Sequence, residues 1–153
     1  AMRLSVSRTV AAPRAAVFAA VSDFDRLEAR LAGGSLGLER CDGPTPPQEG
    51  ARWRAEFALH GVTRQGDLRI AEITEDEGYL LVGGVEGLRA MVEVSVSPQE
   101  PGAARLDVAV DMQAAGIAGR FLLQSARMMR ARIETRMENA VARFAREIES
   151  AVV

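Results

Sequence analysis

Hydrophobic and polar positions alternate from the start of the chain. Between Met2 and Val10, Leu4, Val6 and Val10 fall on one face and Ser5, Ser7 and Thr9 on the other, which predicts a strand. Pro13 ends it and suits the first turn of a helix, where its missing N–H is not needed. Arg14 to Val21 then carries Val17, Phe18 and Val21 at helical spacing. Ser22 and Asp23 offer a cap for a second short helix, Phe24 to Leu31, which Gly33 and Gly34 stop.

The period then returns to two. Leu36 to Cys41 reads as a short strand before a loop in which Pro44, Pro46 and Pro47 forbid regular pairing. From Ala51 to Leu59, Trp53, Phe57 and Leu59 oppose Arg52, Arg54 and Glu56. Turns at His60-Gly61, Glu75 to Gly78 and around Gly87 separate Val62 to Ile73, Tyr79 to Val85 and Leu88 to Val96. After Pro98 to Gly102, Leu106, Val108, Val110 and Met112 alternate with Arg105, Asp107 and Asp111 in a last strand. Such alternation belongs to an antiparallel sheet with one wet face.

One long helix follows. From about Ile117 to Ile148, Ile117, Phe121, Ser125, Met128, Ile133, Met137, Val141, Phe144 and Ile148 recur at mostly helical steps, with arginines and glutamates on the rest of the wheel. At 1.5 Å per residue, ~30 residues make a rod of about 45 Å. The order is strand, two short helices, six strands and a long C-terminal helix. It predicts an α+β fold in which a curved seven-stranded antiparallel sheet wraps around that helix. A straight rod against a curved sheet leaves space, and the expected liners are Trp53, Phe57, Leu68, Ile70, Val92, Val94, Val108 and Val110 from the sheet, with Phe121, Met128 and Met137 from the helix. Methionine suits a wall that adapts to its contents. The same residues would equally serve an ordinary filled core.

Composition narrows the chemistry. The 153 residues fit one domain spanning 1–153. A net charge of −2 gives no basic field for a polyanion, so no nucleic-acid partner is expected. Every one of the 19 basic residues is arginine, which excludes lysine Schiff-base chemistry. Cys41 is alone, so no intrachain disulfide forms. No signal-like segment opens the sequence and no window approaches 18 uninterrupted apolar residues, so a cytoplasmic domain without stable membrane insertion is expected.

Candidate chemistry is sparse. His60 is the single histidine and sits at a turn, so neither a Ser-His-Asp relay nor a multi-histidine metal site can be built; no metal or cofactor is expected. Asp23, Asp25 and Glu28 cluster where the short helices meet, as capping and salt-bridging residues do; their place near the expected pocket mouth leaves catalytic use as the alternative. The informative anomalies are polar residues in apolar phase. Arg8 shares parity with Leu4, Val6 and Val10, and Arg64 and Glu72 share parity with Val62, Leu68 and Ile70. Arg8 or Arg64 would anchor an acidic head in the pocket; the alternative is an internal pair of an arginine with Glu72, or side chains that reach the rim. Tyr79 is either a cyclase-like donor or an ordinary strand residue. Gly83-Gly84 marks a bulge or a close approach. Arg127, Arg130, Arg132 and Arg136 make a charge-rich stretch, a solvated face or a contact for acidic lipid or a partner.

The segment Thr9-Val-Ala-Ala-Pro-Arg-Ala-Ala-Val-Phe-Ala-Ala-Val-Ser-Asp-Phe-Asp25 resembles the opening of the START-like superfamily (SRPBCC, Bet v 1-like). There a first strand leads through Ala-Pro into a helix bearing Val-Phe or Val-Trp, then an Asp turn. The superfamily includes polyketide cyclases, plant lipid-binding allergens and lipid-transfer domains, and the chain is most similar to its uncharacterised bacterial members. The resemblance implies a helix-grip fold over the whole chain and a cavity for a small hydrophobic or amphipathic ligand, lipid or polyketide-like. It leaves two alternatives open. One is a cyclase, aromatase or dehydratase, with an acid or base aimed into the cavity. The other is a protein-interaction module with a filled interior and an exposed apolar patch. The expected function is binding without catalysis, and no oligomeric state is assigned.

Overall fold

The computed structural model describes residues 1–31, 36–43, 47–59 and 61–152. Strand β1 (Met2–Val10) is followed by helices α1 (Arg14–Val21) and α2 (Phe24–Leu31). Strands β2 (Leu36–Asp42), β3 (Arg52–Leu59), β4 (Val62–Thr74), β5 (Gly78–Val85), β6 (Leu88–Pro98) and β7 (Ala104–Ala114) then run as a meander. They form one antiparallel seven-stranded sheet of order β1-β7-β6-β5-β4-β3-β2, so β1 and β2 are its edges. His60, Gly33, Gly34, Pro44 and Pro46, to which turn and loop roles fall in the sequence, lie outside the described residues.

The helix after β7 is not one rod. It divides at Met129 into α3 (Gly116–Met128) and α4 (Arg130–Val152). No proline or glycine marks the break. The Met129 N–H donates to both Ser125 and Ala126, the tightened pattern of a helix end. On either side of it Arg127 donates to the Ala1 carbonyl and Arg130 to the Arg3 carbonyl, 3.2 and 3.0 Å away at the open edge of β1. The break therefore sits where the helix is tied to the sheet's edge.

Parity fails at two places among the described residues, between Arg40 and Asp42 at the β2 edge and, with more consequence, in β4. A bulge between Ile70 and Glu72 shifts the β4–β5 register, so that Ile70 faces Leu81 but Ile73, not Glu72, continues the buried face opposite Tyr79. Gly83 and Gly84 mark no bulge; they mark a close approach, because a Cβ on Gly66 would stand 2.3 Å from the Gly84 carbonyl oxygen. The β5–β6 hairpin closes through Glu86-Gly87, both at positive φ (43° and 84°), a two-residue turn of the twist hairpins prefer. Gly87 also accepts a hydrogen bond from the Ala115 N–H and packs directly on Gly119 of α3.

The main core lies between the sheet and helices α1, α2 and α4. Val10, Val17, Ile70, Val96, Ala104 and Leu106 are sealed there, with Val141, Ala145 and Ile148 from α4. A smaller cluster of Met2, Leu4 and Leu123 lies under α3.

Candidate functional site: two apolar chambers beneath helix α2

Helix α2 is short, but Phe24 and Leu27 share its inward face with Glu28, and all three reach over the sheet. Between α2 and strands β2 to β5 lies a chamber of about 210 Å³, walled by Phe24, Leu27, Glu28, Leu38, Trp53, Leu68 and Leu81. A second chamber of about 120 Å³ is lined by Val21, Leu27, Tyr79, Val94, Val108 and Phe144 among others. Leu27 is the residue common to both walls. Larger recesses of about 390 Å³ are lined by charged side chains and open to solvent. The two smaller ones are almost wholly apolar, which is the character of a site for a hydrophobic molecule.

Aromatic side chains frame the chambers. Phe24 stands edge-on to Tyr79, ring centroids 4.9 Å apart, and 6.2 Å from Trp53. The Tyr79 hydroxyl donates to the Val21 carbonyl at 2.7 Å, and burial pushes its pKa well above the ordinary tyrosine value. Its proton is thus committed to the protein. The Trp53 indole N–H donates to Glu28 Oε2 at 3.2 Å. The other Glu28 oxygen makes no hydrogen bond among the described residues, and this carboxylate is the single charged group in either wall. Helix α2 is tied to α4 by Arg30, which pairs with Glu147 and lies over the Phe144 ring at 4.7 Å. That hydrogen bond holds the Glu147 carboxyl below its usual range.

Of the side chains singled out in the sequence, Trp53, Leu68, Val94 and Val108 stand in these walls. Ile70 is sealed in the core and Val92 packs against it. Val110 is half-buried on β7 outside both walls, and Phe57 lines an open recess at the β2 edge with Leu38 and Arg54. Several expectations need correction. Glu72 is exposed, turned outward by the bulge, in a groove with Glu93 and Ser95. Arg64 pairs with Glu86, not Glu72, and lines neither chamber; its Nε is buried without an acceptor among the described residues. Arg8 is exposed, its long side chain reaching water from the edge strand. Met137 packs on the Met2–Leu4 cluster. Phe121 and Met128 are 54% and 80% exposed, because α3 buries Gly119, Leu122, Leu123 and Ser125 instead.

The wall residues that sequence reasoning missed as a site are chiefly Phe24, Leu27, Glu28 and Phe144. The signal for the first three was present in the strong amphipathy of α2. What hid them was the assumption that the long helix alone covers the sheet. Among the described residues no group of three His, Cys, Asp or Glu side chains could hold a metal ion, and no helix is long and apolar enough to cross a membrane.

Sheet, grip helix and apolar chambers define a helix-grip protein of the START-like superfamily. Residues 1–149 match the family described as polyketide cyclase / dehydrase and lipid transport, and the chain belongs to it. No curated protein sequence matches significantly. Solved structures that share the fold include the Zhui aromatase/cyclase from a Streptomyces species, with a TM-score of 0.68, 15% identity and coverage of 99% of this chain and 96% of that one. Norcoclaurine synthase from Thalictrum flavum matches with a TM-score of 0.66, 12% identity and coverage of 99% and 86%.

Proposed function

We propose that the protein binds a small hydrophobic molecule carrying a hydrogen-bond donor, such as a phenol or alcohol of polyketide or lipid type, beneath α2. The observation that carries this reading is the pair of apolar chambers meeting at Leu27, with Glu28 as the one charged group in their walls. An apolar cavity of about 150 Å³ suffices for benzene, so the larger chamber of about 210 Å³ takes a substituted ring. Among the described residues no arginine lines either chamber; Arg40 and Arg30 lie over the Trp53 and Phe144 rings, at 5.4 and 4.7 Å from the ring centroids. A ligand carboxylate would instead meet Glu28, and like charges in an apolar site repel strongly. The second Glu28 oxygen, which makes no hydrogen bond among the described residues, would turn toward an O–H donor on the ligand. The family's description and the aromatase/cyclase among the neighbours support a polyketide-like ligand.

The test is a titration with a bromophenol and a bromobenzoic acid, read by quenching of Trp53, the one tryptophan. Saturable quenching by the phenol, far weaker quenching by the acid, and loss of that preference in Glu28→Leu are expected. Equal response to both compounds, or none, would overturn the reading. A second reading, a cyclase- or dehydratase-type enzyme, is favoured by one feature: Glu28, a carboxylate residue, is among those that line an apolar chamber, the setting of a general acid or base. Glu28→Gln separates the two, since it keeps an acceptor and removes the base. Turnover of a polyketide-like substrate lost with binding retained would select the enzyme.

A further inference from the structure

Helix α3 is apolar on both sides. Its inner side holds Gly119, Leu122 and Leu123 against the sheet, while Ile117, Phe121 and Met128 form a stripe on the opposite side at 87%, 54% and 80% exposure. A helix with apolar side chains on two opposite sides normally has a partner on each.

Charge identifies the partner. Between Asp111 and Glu134 the chain has four basic residues, Arg120, Arg127, Arg130 and Arg132, and no carboxylate, in a protein whose net charge is −2. The nearest carboxylates are already paired: Asp111 with Arg3, Glu86 with Arg64, and Glu134 with Arg130. Arg120 flanks the apolar stripe and is exposed, as are Arg127 and Arg132. An exposed apolar stripe bordered by unneutralised arginines fits an interface with apolar depth and anionic surface charge. A second copy docked symmetrically would set the same arginines against each other.

We propose that α3 is a membrane-surface contact, seating the domain on anionic phospholipid with Ile117, Phe121 and Met128 at the level of the acyl chains. Thirteen residues make a helix of about 20 Å, which lies in the interface and does not span. The contact is independent of whether the chambers take a ligand.

The test is flotation of the full chain with vesicles of phosphatidylcholine alone and of an equimolar mixture with phosphatidylglycerol. The wild type floats with the mixed vesicles and not with phosphatidylcholine alone, and added salt releases it. Ile117→Asp/Met128→Asp, which alters two highly exposed side chains and leaves the circular dichroism spectrum unchanged, abolishes flotation. Arg120→Gln/Arg132→Gln weakens partition by about 25-fold, since each basic side chain near an anionic surface is worth about fivefold. Absence of flotation, or flotation that survives the Asp double variant, would overturn the proposal. So would a dimer in sedimentation velocity that this variant dissociates and that ignores vesicles; the stripe would then belong to a second copy.

Discussion

Tyr79 and Glu28 show how single side chains divide the work of the site. The Tyr79 hydroxyl satisfies a buried carbonyl of α1, so Tyr79→Phe should orphan the Val21 oxygen and cost roughly 1–2 kcal/mol in urea unfolding. The tyrosine also makes stability depend on alkaline pH. Its folded pKa lies above the unfolded value of about 10, so the native state holds the proton longer than the unfolded chain does. Stability is therefore fully present below pH ~10 and falls as pH rises beyond it. In Tyr79→Phe this part of the alkaline loss should vanish; an unchanged slope would mean that the hydroxyl is not buried. Glu28 has the opposite character, because one oxygen holds the Trp53 N–H while the other makes no hydrogen bond among the described residues. In Glu28→Leu the Trp53 N–H loses its acceptor, for an expected cost of about 1–2 kcal/mol alongside the loss of phenol preference.

Among the elements, α3 is positioned by the absence of side chains. A Cβ on Gly119 would stand 2.3 Å from the backbone oxygen of Gly87, a contact that only movement of helix or hairpin relieves. Gly119→Ala should destabilise by about 1–3 kcal/mol, and a neutral result in thermal unfolding would show that α3 does not press on the hairpin. The strand and helix order was legible in the sequence because alternation in the sheet is nearly unbroken and Pro13 and the turn glycines punctuate it. The chamber was legible in part. Trp53, Leu68, Val94 and Val108 sit in unambiguous strand phase. Glu72 was misread because one bulged residue inverts everything after it, and a bulge leaves no mark in binary pattern. Phe121 and Met128 were misread for another reason. On a helix with apolar side chains on two opposite sides, periodicity does not tell inner from outer face, and the small Gly119 on the sheet side carries little hydrophobic signal.

On the scale of the whole molecule, fold and family do not decide between binding and catalysis, since both occur on this architecture. The interior argues more directly. An interaction module is expected to be filled, whereas here two apolar chambers remain, separated by Leu27. Leu27→Ala should join them and extend binding to molecules longer than one ring, measured with the same Trp53 quenching against a series of alkyl-substituted bromophenols. The exposed stripe on α3 is the feature an interaction module would share, and anionic vesicles distinguish the two.

The central claim is occupancy of the chambers by a small apolar molecule. Native mass spectrometry of protein purified from its own host tests it most directly, followed by denaturation to release what is bound. The account predicts a complex heavier than the bare chain that yields a neutral, hydroxyl-bearing hydrophobic compound and is absent from a variant with a filled chamber, Leu68→Trp. A bare chain that also takes up no apolar phenol would contradict it.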